Sequence, residues 1–264
     1  MLTSDAAIAS LEANAWSMFS ILGAGTGGSI LNTPERLVVE APLPQPLYNL
    51  VLRFLDDGTG PLAEQVAREW ARFTRRGVNG VFLRHPTAPD DLDAALAANG
   101  LEEAEQLAGM ALDLTTDLPA RRAVEGVDLV EAGDADADDW VDLVTWRYGL
   151  ESTTEDYLRD VYSQGIGTHV RLFVARIGGR AVSKVALHLS DGVAGIYGVA
   201  TTEHGRRRGL ASALTIEALH RARELGATVS VLHSTPMAHD LYAALGYRDV
   251  ATFGMWAEPA TLHL

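Results

Sequence analysis

At 264 residues with a formal net charge of −14, the chain is long enough for one large domain or two modest ones. Its excess of acid argues against a broad basic face for nucleic acid, and 47% hydrophobic with 21% charged residues excludes a disordered chain. The absence of cysteine removes disulfides, thiolate nucleophiles and Cys-based metal sites, and leaves the cytoplasm as the default location.

Residues 6–19 have helical composition, with Leu11, Ala15 and Met18 spaced as an apolar stripe. Asp5 and Glu12 interrupt the apolar start and no Lys or Arg precedes it, so neither a signal peptide nor a membrane span is expected. Gly23-Ala-Gly-Thr-Gly-Gly28 superficially suggests a dinucleotide fingerprint, but it follows a helical stretch rather than a strand and reads as a loop. Residues 36–40 and 48–54 read as strands around a Pro-rich turn, 61–75 as a helix, 80–85 as a strand, 89–98 as a helix and 110–114 as a short strand. Residues 119–126, with Pro119 and Arg121-Arg122, are the expected linker between domains 1–118 and 127–264.

In the second half, 127–131 reads as a strand, while 136–148 and 156–162 read as helices. Residues 170–177 and 182–189 alternate around Gly178-Gly179 as a hairpin. The acidic run Asp134, Asp136, Asp138, Asp139 lacks the glycine and terminal glutamate of a calcium loop and reads as a solvated helix start, so no metal is expected. No Gly-x-Ser-x-Gly elbow occurs, which removes support for serine-hydrolase chemistry.

The most informative stretch follows. Val193-Ala-Gly-Ile-Tyr-Gly-Val-Ala200 is an apolar strand in which Gly195 and Gly198 mark a bulge or a close backbone approach. Leu210, Leu214, Ala218, Ala222 and Leu225 then recur at helical spacing, so a helix is expected to start within 206–209. A helix start has unpaired N–H groups and the positive end of the dipole, and Gly209, Ala211 and Ser212 are small enough to admit a ligand. Arg206, Arg207 and Arg208 reinforce that field in an acidic chain. Phosphate is the natural guest, a solvated cationic surface run being the plain alternative.

Arg206-Arg-Arg-Gly-Leu-Ala211 resembles the Arg/Gln-x-x-Gly-x-Gly/Ala pyrophosphate loop of the GNAT superfamily of acyl-CoA N-acyltransferases. Residues 229–234 read as the next strand, and Leu241-Tyr-Ala-Ala-Leu-Gly-Tyr247 resembles the family's Leu-Tyr-x-x-Leu-Gly-Tyr/Phe signature. The resemblance covers residues 127–256 and implies an α/β fold: a mixed, mostly antiparallel sheet with two splayed parallel strands, flanked by helices. It implies acetyl-CoA as acyl donor and no metal, the donor held at Val199, Ala200 and Thr201, at Arg206, Arg207, Arg208, Gly209, Leu210, Ala211 and Ser212, and at Ser234, where many relatives carry Asn. Tyr242 is then the expected acid for the departing thiolate, since a phenol of pKa about 10 is protonated at neutral pH. An ordinary packed tyrosine is the competing reading. Residues 196–200 lack the carboxylate that some relatives use as base. Glu151 and His188 are candidates by chemistry alone, a surface or structural residue being the favoured reading of each, and His169 and His233 offer no more.

The two halves also resemble each other. A shift of 149 brings Gly60 onto Gly209 and Leu83 onto Leu232, and lays Asp91-Leu-Asp-Ala-Ala-Leu96 on Asp240-Leu-Tyr-Ala-Ala-Leu245. Asp57 then falls on Arg206, Asp93 falls on Tyr242, and Pro61 removes a donor from the first helix start. The first half is expected to be a GNAT-like domain without a donor site.

The function expected from these residues is transfer of an acetyl group from acetyl-CoA directly to a primary amine of a small molecule, a cationic one suiting an acidic protein. A different acyl-CoA or a carrier-bound acyl donor, or a non-catalytic acyl-CoA-binding module, are the alternatives. No nucleic-acid or membrane partner is expected, and a homodimer is compatible with the sequence.

Overall fold

The computed structural model describes residues 4–133, 136–151, 154–164 and 170–259, so Asp134 and His169 lie outside the described residues. The first half contains α1 (Ser4–Ser20), β1 (Ser29–Asn32), β2 (Arg36–Glu40), β3 (Leu50–Phe54), α2 (Leu62–Arg76), β4 (Val81–Arg84), α3 (Leu92–Ala98) and β5 (Glu102–Asp113). The second contains β6 (Asp128–Ala132), α4 (Ala137–Tyr148), α5 (Glu155–Gln164), β7 (Val170–Ile177), β8 (Arg180–Ser190), β9 (Val193–Thr201), α6 (Leu210–Glu224), β10 (Val229–Ser234), α7 (His239–Ala244) and β11 (Arg248–Ala257).

From β1 and from β7 onward the two halves repeat one order of elements, three strands, helix, strand, helix, strand. Each has a single parallel pair, β3 with β4 and β9 with β10, joined through α2 or α6 because parallel neighbours need a crossover. Val51 faces Phe82, a separation of 31 residues, whereas Gly195 faces Val231, a separation of 36. The uniform shift between halves therefore holds from the loop onward, and the second connection from strand to strand is the longer.

The expected mixed, largely antiparallel α/β architecture is present, with the strands of both halves continuous in one eleven-stranded sheet, β1-β2-β3-β4-β11-β5-β10-β9-β8-β7-β6. The last strand of each half is exchanged. β5 pairs with β10, and β11 lies between β4 and β5, all antiparallel.

Helices cover both faces, α1, α4 and α5 on one, α2 and α3 with α6 and α7 on the other. Although α1 belongs to the first half, it packs over strands of the second. The Asn14 side-chain oxygen accepts the Tyr197 hydroxyl at 2.8 Å, and its Nδ2 donates to the Val193 carbonyl at 3.1 Å. Gly195 makes that approach feasible, since a Cβ there would lie 1.9 Å from Asn14 Oδ1 and 2.2 Å from the Tyr197 ring.

Candidate active site

Parallel pairing of β9 with β10 runs from Val193 opposite Val229 to Ile196 opposite Leu232 and stops, although β9 continues to Thr201 and β10 to Ser234. The outer edges keep their partners, β8 and β5. The inner edges, residues 197–201 and 233–234, have no strand between them, and such edges offer backbone donors and acceptors to an extended ligand. The register of β9 against β8 shifts between Lys184–Ala200 and Ala186–Tyr197, with Gly198 at φ 57°. This is the bulge that a glycine at that position suggests, since glycine takes the left-handed region freely.

Beyond Thr201 the chain passes through a short 3₁₀ turn at Glu203–Gly205, and α6 begins only at Leu210. The arginines therefore stand in a turn ahead of the helix rather than in its first turn, with Arg207 at φ 60° and Gly209 at φ 74°. Among the described residues, the backbone N–H groups of 207–212 have no partner in the chain. The first to find one is that of Ala213, which donates to the Gly209 carbonyl at 2.9 Å. Arg208 donates to the Glu125 carbonyl at 2.9 Å. Arg206 and Arg207 are exposed and form no ion pair among the described residues. Unpaired donors, a helix dipole and two uncommitted guanidinium groups make a site for a phosphate group.

The corresponding loop of the first half is closed on itself. Asp56 accepts from the Gly58 N–H at 2.9 Å and from Gln65 Nε2 at 2.6 Å. Asp57 accepts from the Thr59 N–H at 2.9 Å and its hydroxyl at 2.5 Å, and pairs with the buried Arg36 at 3.0 Å. Hydrogen bonds, from Gln65 to Asp56 and from Thr59 to Asp57, hold both carboxyls below their ordinary range. The chain's own carboxylates thus take the N–H groups of Gly58 and Thr59, and Pro61 offers none, while those of Gly60, Leu62 and Ala63 have no partner among the described residues.

Tyr242, on α7, is 6% exposed and belongs to the apolar cluster that contains Ile196 and Leu232, the last paired residues of the fork. Its hydroxyl has no hydrogen-bond partner among the described residues, and burial pushes its pKa up to about 12. Ser234 is buried at the open end of β10, its Oγ donating to the Thr235 carbonyl at 2.9 Å, so it meets a ligand as an acceptor. Thr201 Oγ1 lies 2.8 Å from Ser183 Oγ, Val199 is half-buried and Ala200 buried. In the first turn of α6, Leu210 is buried and Ala211 and Ser212 are half-buried. These residues lie on the elements that border the fork or follow it.

Glu151 and His188 are not brought there. Glu151 is exposed after α4, on a cleft of about 780 Å³ lined also by Leu43, Pro44 and Tyr157. His188 lies opposite Gly195 in the closed part of the fork, 2% exposed, with Nε2 2.9 Å from the Ser17 hydroxyl of α1. His233 follows the last paired residue of β10, its ring edge-on to Phe253 at 4.3 Å. Both of its ring nitrogens are buried without a partner among the described residues, and burial pulls its pKa down to about 4. Among the described residues no group of three or more His, Asp or Glu is placed to hold a metal ion, and no helix is long and apolar enough to cross a membrane.

Residues 137–247 match the family model described as the Acetyltransferase (GNAT) family. Among solved structures, the chain is similar to a GCN5-related N-acetyltransferase from Kribbella flavida, at 18% identity and TM-score 0.68, covering 95% of each chain. It is also similar to one from Sphaerobacter thermophilus, at 15% identity and TM-score 0.63, over 87% of this chain and 75% of the other. A tandem GNAT protein from the clavulanic acid biosynthesis pathway matches at 15% identity and TM-score 0.60, over 92% of this chain and 86% of the other. At such identities these likenesses are of fold. No curated protein matches the sequence. The forked sheet and the matched segment place the second half among the acyltransferases. Within it, residues 137–247 are the segment similar to the acetyltransferase (GNAT) family.

Proposed function

We propose that the chain transfers an acetyl group from acetyl-CoA directly to a primary amine of a small molecule, with one working site in residues 127–264. Residues 1–118 are read as a degenerate copy joined through 119–126. The observation that carries this reading is the contrast between the two loops, with every N–H group unpaired at 207–212, whereas in the first half Asp56 and Asp57 take those of Gly58 and Thr59 and set two carboxylates where an anion would lie.

The pyrophosphate of the donor would lie against Arg206, Arg207 and the N–H groups of 207–212, and its pantetheine arm would pair with the open edge of Val199 to Thr201, with Ser234 opposite. Attack by a neutral amine on the thioester carbon forms the amide and expels a thiolate, which needs a proton. Tyr242 supplies it, since a buried phenol keeps its proton at neutral pH. The chain has no cysteine, in keeping with direct transfer.

Arg206→Glu is expected to weaken acetyl-CoA binding by about tenfold or more, about 1.4 kcal/mol, because an anion then stands where phosphate is held. Asp57→Asn should change that affinity little. Calorimetry on both variants decides the matter, and equal losses would mean that the two loops do not differ in function. A protein that ignores acetyl-CoA but releases thiol from a carrier-bound acyl donor would replace the donor assigned here.

A further inference from the structure

Lys184, on β8, is the only lysine in the chain, every other member of its 21 Lys and Arg being arginine. It is 4% exposed and forms no ion pair among the described residues. An ammonium group removed from water without a counter-ion is strongly disfavoured. Arginine does not give up its proton in proteins, so it cannot stand in for lysine where a neutral amine is needed. Nζ donates to the Gly198 carbonyl at 2.7 Å and lies 6.0 Å from the centre of the Trp140 ring. A strand carbonyl ordinarily lies in the plane of the sheet, out of reach of a side chain standing on one face. The positive φ of Gly198 turns this one toward the amine, and a Cβ at 198 would lie 3.1 Å from Nζ.

The amine therefore touches the donor strand two residues beyond Ile196, the last residue of β9 paired with β10. The inference rests on the acyl-CoA reading of the fork. With phosphates at 207–212, an arm running back along β9 from Thr201 brings its thioester end toward the closed end of the fork, beside Gly198. We propose that Lys184 is a self-acylation site, taking the acyl group of the chain's own bound donor when no acceptor amine is present. The lone pair of neutral Nζ forms a C–N bond with the thioester carbon, the C–S bond breaks, and the proton shed by nitrogen leaves on the CoA thiol, giving an N-acyl-lysine.

Burial, assisted by the charge of Arg147 on α4, pulls this amine down to about 8, so a share of it is neutral near neutral pH. The other charged groups of the helices on that face are exposed, as are Asp5 of α1 and Asp142 of α4, or committed elsewhere. Glu12 of α1 binds His85 and Thr87, Asp138 and Asp139 of α4 pair with Arg159 and Arg176, and His188 of β8 faces Ser17.

The test is mass spectrometry of the full chain incubated with acetyl-CoA and no amine. Lys184 and the amino terminus are the only amines, and peptide mapping separates them. One acetyl group is expected on Lys184, entering at a rate that saturates with acetyl-CoA, falls when free CoA competes, and rises with pH through about 8. Arg206→Glu should slow labelling roughly tenfold at sub-saturating donor. Labelling that grows without saturation, or unlabelled Lys184 in protein that calorimetry shows to bind acetyl-CoA, would overturn the proposal and leave the acyl-CoA reading standing. Failure to bind acetyl-CoA at all would overturn both.

Discussion

Tyr242→Phe is expected to lower kcat by about 10²–10⁴-fold while acetyl-CoA affinity and the fold are kept, the range typical of a lost general acid. The substitution removes one oxygen that has no hydrogen-bond partner among the described residues, so the ring keeps its place beside Tyr247, 6.0 Å away. Because burial raises this phenol to about 12, its acid form persists through neutral and moderately alkaline solution. No loss of rate from its ionisation is expected below about pH 11. A thiol-release assay with chemistry rate-limiting reads the effect. Unchanged kcat would return Tyr242 to the core, and a change confined to KM would place the hydroxyl in donor binding.

The second large effect concerns the exchanged strands. A fragment of residues 127–264 would leave β10 without β5, and β11 without both β4 and β5. Three unpaired edges and the uncovered side chains Phe253 and Met255, both buried in the whole chain, favour aggregation over folding. The fragment should show no cooperative thermal transition as a monomer, and co-expression with residues 1–126 should restore one. A monomeric fragment with a sharp transition and full acetyl-CoA affinity would show that the exchange contributes nothing to the working site.

Much of this architecture was legible because its signals are local. Residues 36–40 and 229–234 alternate or run apolar between turns and are strands over those spans. Gly198 announced its bulge, and the small residues after Arg208 announced a helix start. The elements missed were those stabilised by partners distant in sequence. Glu102 to Gln106 are acidic or polar apart from Ala104 and mostly exposed, yet they extend β5 to twelve residues because β11 pairs along them. Ser29–Asn32, an exposed edge strand, carries no alternation to read and is held by β2.

The same limit applies to the site. The loop proposed to hold the donor is contiguous in sequence and could be read there, whereas the carboxylates of the first loop depend on Arg36 and Gln65 reaching Asp57 and Asp56 from other elements. His188 looked chemically available in sequence and is enclosed by α1, a helix from the other half. Lys184 carried one sequence signal, its uniqueness, but its contact with Gly198 follows from a bulge in the neighbouring strand.

The most direct test of the central claim is hydrogen exchange of the backbone amides with and without acetyl-CoA. The amides of 207–212, unpaired in the chain among the described residues, should exchange markedly more slowly when the donor is bound, together with those of 197–201, while residues 56–61 should not change. Protection of 56–61, or binding without any slowing at 207–212, would contradict the assignment of the donor to the second half's loop.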